Sequence, residues 1–162
     1  MLPMFSTMKE VNAILSIIDR RVGLDLLFET PKSLNLINCG DKGLSIGEGS
    51  FVELDYVKVE NANIGVAVKD SSISKINSSN LNNLKTCLSA YNKKQEYDGA
   101  IIKVNKLDCK NYFRKADVDN LSKISAENKF LVNNEYGDLY DPTKLKVSQI
   151  NGKEIVKNFI KD

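Results

Sequence analysis

A four-residue block recurs in this chain at a step of 22 residues: Gly43-Leu44-Ser45-Ile46, Gly65-Val66-Ala67-Val68 and Cys87-Leu88-Ser89-Ala90, each followed by a polar, charged stretch. A fixed step of this length marks a repeat architecture, in which each unit buries its apolar face against its neighbours. In register, the blocks give the apolar columns Leu44, Val66, Leu88 and Ile46, Val68, Ala90, with one polar or small residue between them. A period of two predicts strands. Further columns are Ile37, Val59, Leu81, then Phe51 with Ile73 and Leu54 with Ile76, so each unit is expected to hold about three short strands. Such strands cannot bury a face alone, and parallel stacking of one unit on the next at about 4.8 Å is expected.

Asn38, Asn61, Asn63, Asn82 and Asn83 fall between the strands, where left-handed backbone and local side-chain bonding favour Asn, and they are expected to form stacked polar corners. A fourth copy follows, with Ile101, Ile102 and Val104 matching Phe51, Val52 and Leu54, and Leu107 with Cys109 matching Val57 with Val59. The step lengthens to 28 there, which predicts a projecting loop through Asn92-Lys93-Lys94-Gln95-Glu96-Tyr97-Asp98-Gly99. Gly23-Leu24-Asp25-Leu26 reads as an imperfect first copy and Ala116 to Val118 as a fainter fifth.

At the start of the chain Thr7-Met8-Lys9-Glu10 fits a helix capping box, and Met8, Val11, Leu15 and Ile18 recur at helical spacing. A helix over residues 8–20 is expected to cover the open edge of the first copy. The 22-residue register fades after residue 112, and Leu145, Val147 and Ile150, then Asn151-Gly152, then Ile155 and Val156 read as a hairpin closing the far end. The expectation is one all-β domain over residues 1–162: helix 8–20, repeat coils 22–118, and a C-terminal cap 119–162 with its hairpin.

Charge is nearly balanced, at 23 basic and 21 acidic residues, which argues against a nucleic-acid partner. No run reaches the length of a membrane span; the longest apolar stretch, Ala13 to Ile18, is broken by Ser16. The N-terminus lacks the basic region and cleavage site of a secretory signal, so the chain as given is expected in the cytoplasm, or in the cell envelope or surface if it belongs to a longer protein. Cys39 and Cys87 lie two copies apart, beyond disulfide reach, and Cys109 falls in an inward column, so all three cysteines are expected as thiols. The absence of histidine removes the usual general base and the commonest zinc ligand.

Two constellations carry candidate chemistry. Glu48, Asp70 and Asn92 occupy equivalent positions, with Lys69 beside Asp70 and Lys93 and Lys94 just after Asn92. Carboxylates on adjacent copies would stand about 5 Å apart, where they could share a calcium ion, act as nucleophile and acid of a retaining glycosidase, or form a solvated outer ladder. No other cofactor is called for. In the projecting loop, Tyr91 and Tyr97 flank Lys93, Lys94, Glu96 and Asp98, and rings beside polar groups suit sugar binding, although an ordinary exposed insertion would look the same.

The blocks Asp41-Lys42-Gly43-Leu44-Ser45-Ile46-Gly47-Glu48, Ile64 to Ser72 and Cys87 to Lys94 resemble right-handed parallel β-helix repeat proteins. The wider superfamily is pectate-lyase-like, and the blocks are similar more narrowly to β-helix regions associated with CotH-type kinase domains in bacterial envelope and surface proteins. The resemblance covers roughly residues 34–111. It implies a right-handed parallel β-helix of about five coils and a bias toward carbohydrate, and it transfers no catalytic residue. The functional expectation is a non-catalytic β-helix module that contacts polysaccharide or another extended surface through the loop and the outer column. A fragment of a polysaccharide lyase or glycoside hydrolase, and a structural spacer or assembly module with end-to-end homodimers, are the alternatives.

Overall fold

The computed structural model describes residues 33–133, 137 and 140–144. The expected helix at 8–20, the copy at Gly23 and the hairpin at 145–156 lie outside them. The described residues form a single six-stranded, mostly parallel sheet in chain order. Its strands are β1 (Ser33–Ile46), β2 (Phe51–Lys69), β3 (Ile73–Tyr91), β4 (Ile101–Val118), β5 (Lys123–Ala126) and β6 (Lys129–Phe130). Among these residues no helix is long and apolar enough to cross a membrane.

The pairing follows the repeat. Leu44 lies beside Val66 and Val66 beside Leu88, Ile46 beside Val68 and Val68 beside Ala90. Ile73 pairs with Ile101 and Leu81 with Cys109, carrying the register across the longer step. Three details differ from expectation. Val59 sits beside Leu36, not Ile37, because β1 shifts register between Ile37 and Gly40, and Ile37 is turned outward. Ala116 and Val118 close the fourth row beside Leu88 and Ala90, and the fifth begins only at Lys123, beside Ile101. Each repeat unit is also one continuous strand, because neighbouring rows stay in register and keep bonding through the corners.

These long strands cannot be flat. A straight strand of the 19 residues of β2 would run roughly 60 Å. Yet the start of β3 lies beside the start of β2, Phe51 against Ile73, and only Asp70, Ser71 and Ser72 connect Lys69 to it. That connection reaches roughly 14 Å at full extension, so the end of β2 must return close to its own beginning. The burial pattern marks where the chain bends. Val52, Leu54, Val57, Val59 and Ala62 point inward, with paired outward residues at Asp55-Tyr56 and Glu60-Asn61 breaking the strict alternation.

The second bend is built from asparagine. Asn38, Asn61, Asn83 and Asn111 all have φ between 52° and 58°, a left-handed conformation that Asn tolerates better than other side chains. Asn61 donates its amide to Asn38 Oδ1 at 2.9 Å and Asn83 donates to Asn61 Oδ1 at 2.9 Å. The ladder stops at Asn83, whose side chain also exchanges two bonds with the backbone of Asp141, while Asn111 donates to Asn82. Substituting Asn61 with Ala should cost about 2 kcal/mol in urea unfolding, the sum of left-handed strain and lost ladder bonds, and Asn61→Gly only about 1, because glycine keeps the conformation.

Leu36, Leu44, Val57, Val59, Val66, Leu81, Leu84 and Leu88 are wholly buried and belong to one apolar core. A Cβ on Gly43 would come within 2.5 Å of a Val59 methyl, and one on Gly65 within 2.7 Å of Leu84 Cδ1 and 2.6 Å of the Cys87 carbonyl oxygen. Glycine at 43 makes room for the Val59 side chain, and glycine at 65 for Leu84 and the close approach of the Cys87 backbone. In the third row the glycine position is Cys87, which forms a disulfide with Cys109, their Cα atoms 6.5 Å apart. The expectation of three thiols is thus corrected, and Cys39 alone is free. Stacking distance misses this bond because it crosses the interior: Cys109 lies beside Leu81, six residues before Cys87 and roughly 20 Å from it were β3 straight.

At the last described rows, β5 and β6 form a tight antiparallel hairpin across Glu127 and Asn128, both with φ above 50° as a type I′ turn requires. The following chain covers part of the β4 edge. Asn133 bonds both backbone groups of Val118, and Gly137 N donates to Phe113 O.

Candidate functional site

Glu48 and Asp70 stand at the turns between rows, and each has a left-handed backbone, with φ of 59° and 54°. The turns are cross-braced: Gly49 N donates to Asp70 O, Asp70 N to Tyr91 O, and Ser50 N to Ser72 Oγ. The same serine device recurs two rows later, where Ala100 N donates to Ser122 Oγ at 2.9 Å. On this frame the inserted loop folds back over the turns instead of standing away from them.

Asp70 is the centre of that fold-back. It is wholly buried, and its Oδ1 accepts the backbone N–H groups of Lys93 at 2.7 Å and Lys94 at 2.8 Å. One carboxylate oxygen thereby fixes the first turn of the loop, a job that two backbone donors and an anion do well. The loop's other end is held by Ser71, whose N–H donates to Asp98 O at 2.9 Å while its hydroxyl accepts from Asp98 N at 2.7 Å. Between them the Asn92 amide donates to the carbonyls of Tyr97 and Asp98, and Lys94 closes an ion pair and hydrogen bond with Glu48. The Glu48 carboxylate holds the Lys94 ammonium above its ordinary pKa.

Asn92 N also donates to Asp119 Oδ2 at 2.6 Å, tying the loop root to the fourth row. Burial pushes the Asp119 carboxyl up, but the bonds it receives from Asn92, Ser122 and Leu121 outweigh that and leave it below the ordinary value. Tyr91 lies at the end of β3, half-buried. Burial raises its phenol, Lys42 pulls it back, and Asp41, Asp70 and Asp117 push it further up.

The residues singled out in the sequence therefore do come together, but in two layers. Asp70 is inside, Glu48, Asn92 and Lys94 are partly covered parts of the bracing, and the side chains of Lys93, Glu96 and Asp98 face solvent along with Gln95. Tyr97 is half-buried against the loop. Asp70 is therefore not part of a solvated outer ladder: the insertion that lengthens the step covers it. Ser71 and Asp119, which sequence reasoning passed over, carry as much of the bracing as the expected residues. Their only signal was position, beside Asp70 and, in register, beyond Tyr91.

Calcium at Glu48 and Asp70 would have to compete with bonds these carboxylates already make. Asp70 Oδ1 is occupied by two donors, Glu48 is paired with Lys94, and Asp70 Oδ2 is the only oxygen of Asp70 without a hydrogen bond. Calcium takes about six to eight oxygen ligands. Among the described residues no group of three or more Cys, Asp or Glu side chains is arranged around a common metal position. Comparison with family models, with curated proteins and with solved structures found no match to this chain.

Proposed function

We propose that this chain is a non-catalytic right-handed parallel β-helix module, each long strand forming one coil, that engages polysaccharide or another extended, hydroxyl-rich surface through the loop at residues 92–99. The winding is supported by the return of β2 to its own start within a three-residue connection. The binding role is supported above all by the bracing of the loop. Asp70, Ser71, Asn92 and Glu48 hold its backbone in one conformation while Lys93, Gln95, Glu96 and Asp98 face outward. A loop ordered in advance loses little entropy on binding, and donors alternating with acceptors suit a ligand of many hydroxyls.

The assembly reading has its own support in Leu121, Phe130 and Val132, which are 65, 73 and 52 % exposed in the last described rows. One experiment separates the two. The chain is co-sedimented with a panel of insoluble polysaccharides while its size is measured by analytical ultracentrifugation. A glycan-binding module is expected to sediment with at least one polymer, with affinity at least tenfold weaker in the Lys93→Ala, Glu96→Ala variant. Failure to bind any polymer, with a dimer that Phe130→Ser dissolves, would replace the binding reading with assembly.

A further inference from the structure

We propose that Cys87 and Cys109 are oxidised as the chain folds, by a thiol–disulfide exchange donor, and that the protein therefore matures in an oxidising compartment with Cys39 left as a thiol. This goes beyond the binding reading and does not rest on it.

Three observations carry it. Cys87 is wholly inaccessible, Cys109 is partly buried, and their Cα atoms lie 6.5 Å apart, inside the roughly 4.4–6.8 Å that disulfides span. The two positions are a matched pair of exceptions. Along one wall the column runs Leu36, Val59, Leu81, Cys109, and along the facing wall Gly43, Gly65, Cys87. Val59 reaches across to Gly43, where a Cβ would meet its methyl group, while Gly65 is packed by Leu84 and the Cys87 backbone of the third row. Only on the diagonal from the third row to the fourth are both members replaced, and both by cysteine. The bond also encloses the whole inserted loop, the longest connection between rows, whose closure costs the most chain entropy. Cys39 has no role in the pairing; burial pushes its thiol up to about 12, which keeps it protonated and slow to exchange.

The chemistry balances as a two-electron exchange. One cysteine thiolate attacks the donor's disulfide and displaces one of its sulfurs, and the second cysteine then displaces the other from the mixed disulfide. The S–S bond forms in the chain, and the donor leaves as a dithiol with the two electrons and two protons. Because Cys87 becomes inaccessible in the folded rows, the exchange has to precede their closure. Cytosolic thiol pools oppose this reaction, whereas oxidising compartments drive it.

The test takes the full chain from its own host, unfolds it in denaturant without reductant and labels free thiols with a maleimide. The proposal predicts one labelled cysteine, Cys39, out of three, and two in Cys87→Ala, with Cys109 newly labelled. Labelling is done on the unfolded chain, so the result does not depend on whether the variant folds. Three labelled cysteines in the native chain would overturn the proposal, as would one label at a residue other than Cys39.

Discussion

Replacing Asp70 with alanine is expected to lower the stability of the chain by about 3 kcal/mol and to free the loop at residues 92–99. The carboxylate is wholly buried and serves two backbone donors, Lys93 N and Lys94 N, through a single oxygen. Alanine removes both bonds and places a side chain without polar atoms in a left-handed conformation, φ 54°, which Asp and Asn tolerate better. Asp70→Asn is the informative comparison. Its amide oxygen can accept both N–H groups, and the lost oxygen is the one without a hydrogen bond, so most of the stability should return. Urea unfolding gives the energies. Limited proteolysis after Lys93 and Lys94 reports the loop, and cleavage should accelerate in Asp70→Ala while remaining slow in Asp70→Asn. Equal, small losses in both variants would mean that the carboxylate does not hold the loop.

The second large effect concerns the crosslink. Loss of the Cys87–Cys109 bond releases a closed segment with a sequence separation of 22, for which loop entropy predicts about 3 kcal/mol. In a chain of 162 residues this corresponds to a fall in Tm of roughly 10 °C. The Cys87→Ala, Cys109→Ala variant should show it in calorimetry, with the same Tm whether or not reductant is present. A second signature follows from topology. The bond spans the loop, so a chain nicked at residues 92–99 should stay in one piece on a denaturing gel and separate only on reduction. Fragments that separate without reductant would exclude the bond.

Much of the row structure was legible in the sequence because the step of 22 fixes which residues are neighbours. The columns through Val66 and Val68, the match of Ile101 to Ile73, and the position of the inserted loop all follow from it. Ile37 departs from its expected column because the bulge between Ile37 and Gly40 shifts the first row by one residue, and no composition signal marks it. Ala116 and Val118 belong to β4 and not to a fifth row, a continuity that the polar residues Lys110, Asn111, Arg114 and Lys115 hide in the sequence.

What was not legible is what meets across the interior. A repeat aligned along the stack says which residues sit above one another, and nothing of which walls face each other. Cys87 and Cys109 therefore belonged to separate columns. The clue was the pair of glycines at 43 and 65, small where a partner reaches in, followed by a cysteine. From the sequence Asp70 falls in an outer column with Glu48 and Asn92, just after the core strand, where a solvated ladder is one reading. The inserted loop, local to one step, reverses its environment, and a charged residue in a turn carries no mark of what will later cover it.

The proposed closure of each long strand on itself brings its opposite walls together. It is tested most directly by building a second crosslink on the same diagonal as the first, with Gly43→Cys and Val59→Cys in a Cys39→Ser background. In a straight strand these positions would be roughly 23 Å apart, since Val59 lies beside Leu36, seven residues before Gly43. In the closed row a Cβ at residue 43 touches the residue 59 side chain. After folding in a glutathione redox buffer, thiol titration in denaturant is expected to find no free cysteine and peptide mapping to join residue 43 to residue 59. Two free thiols at those positions would contradict it.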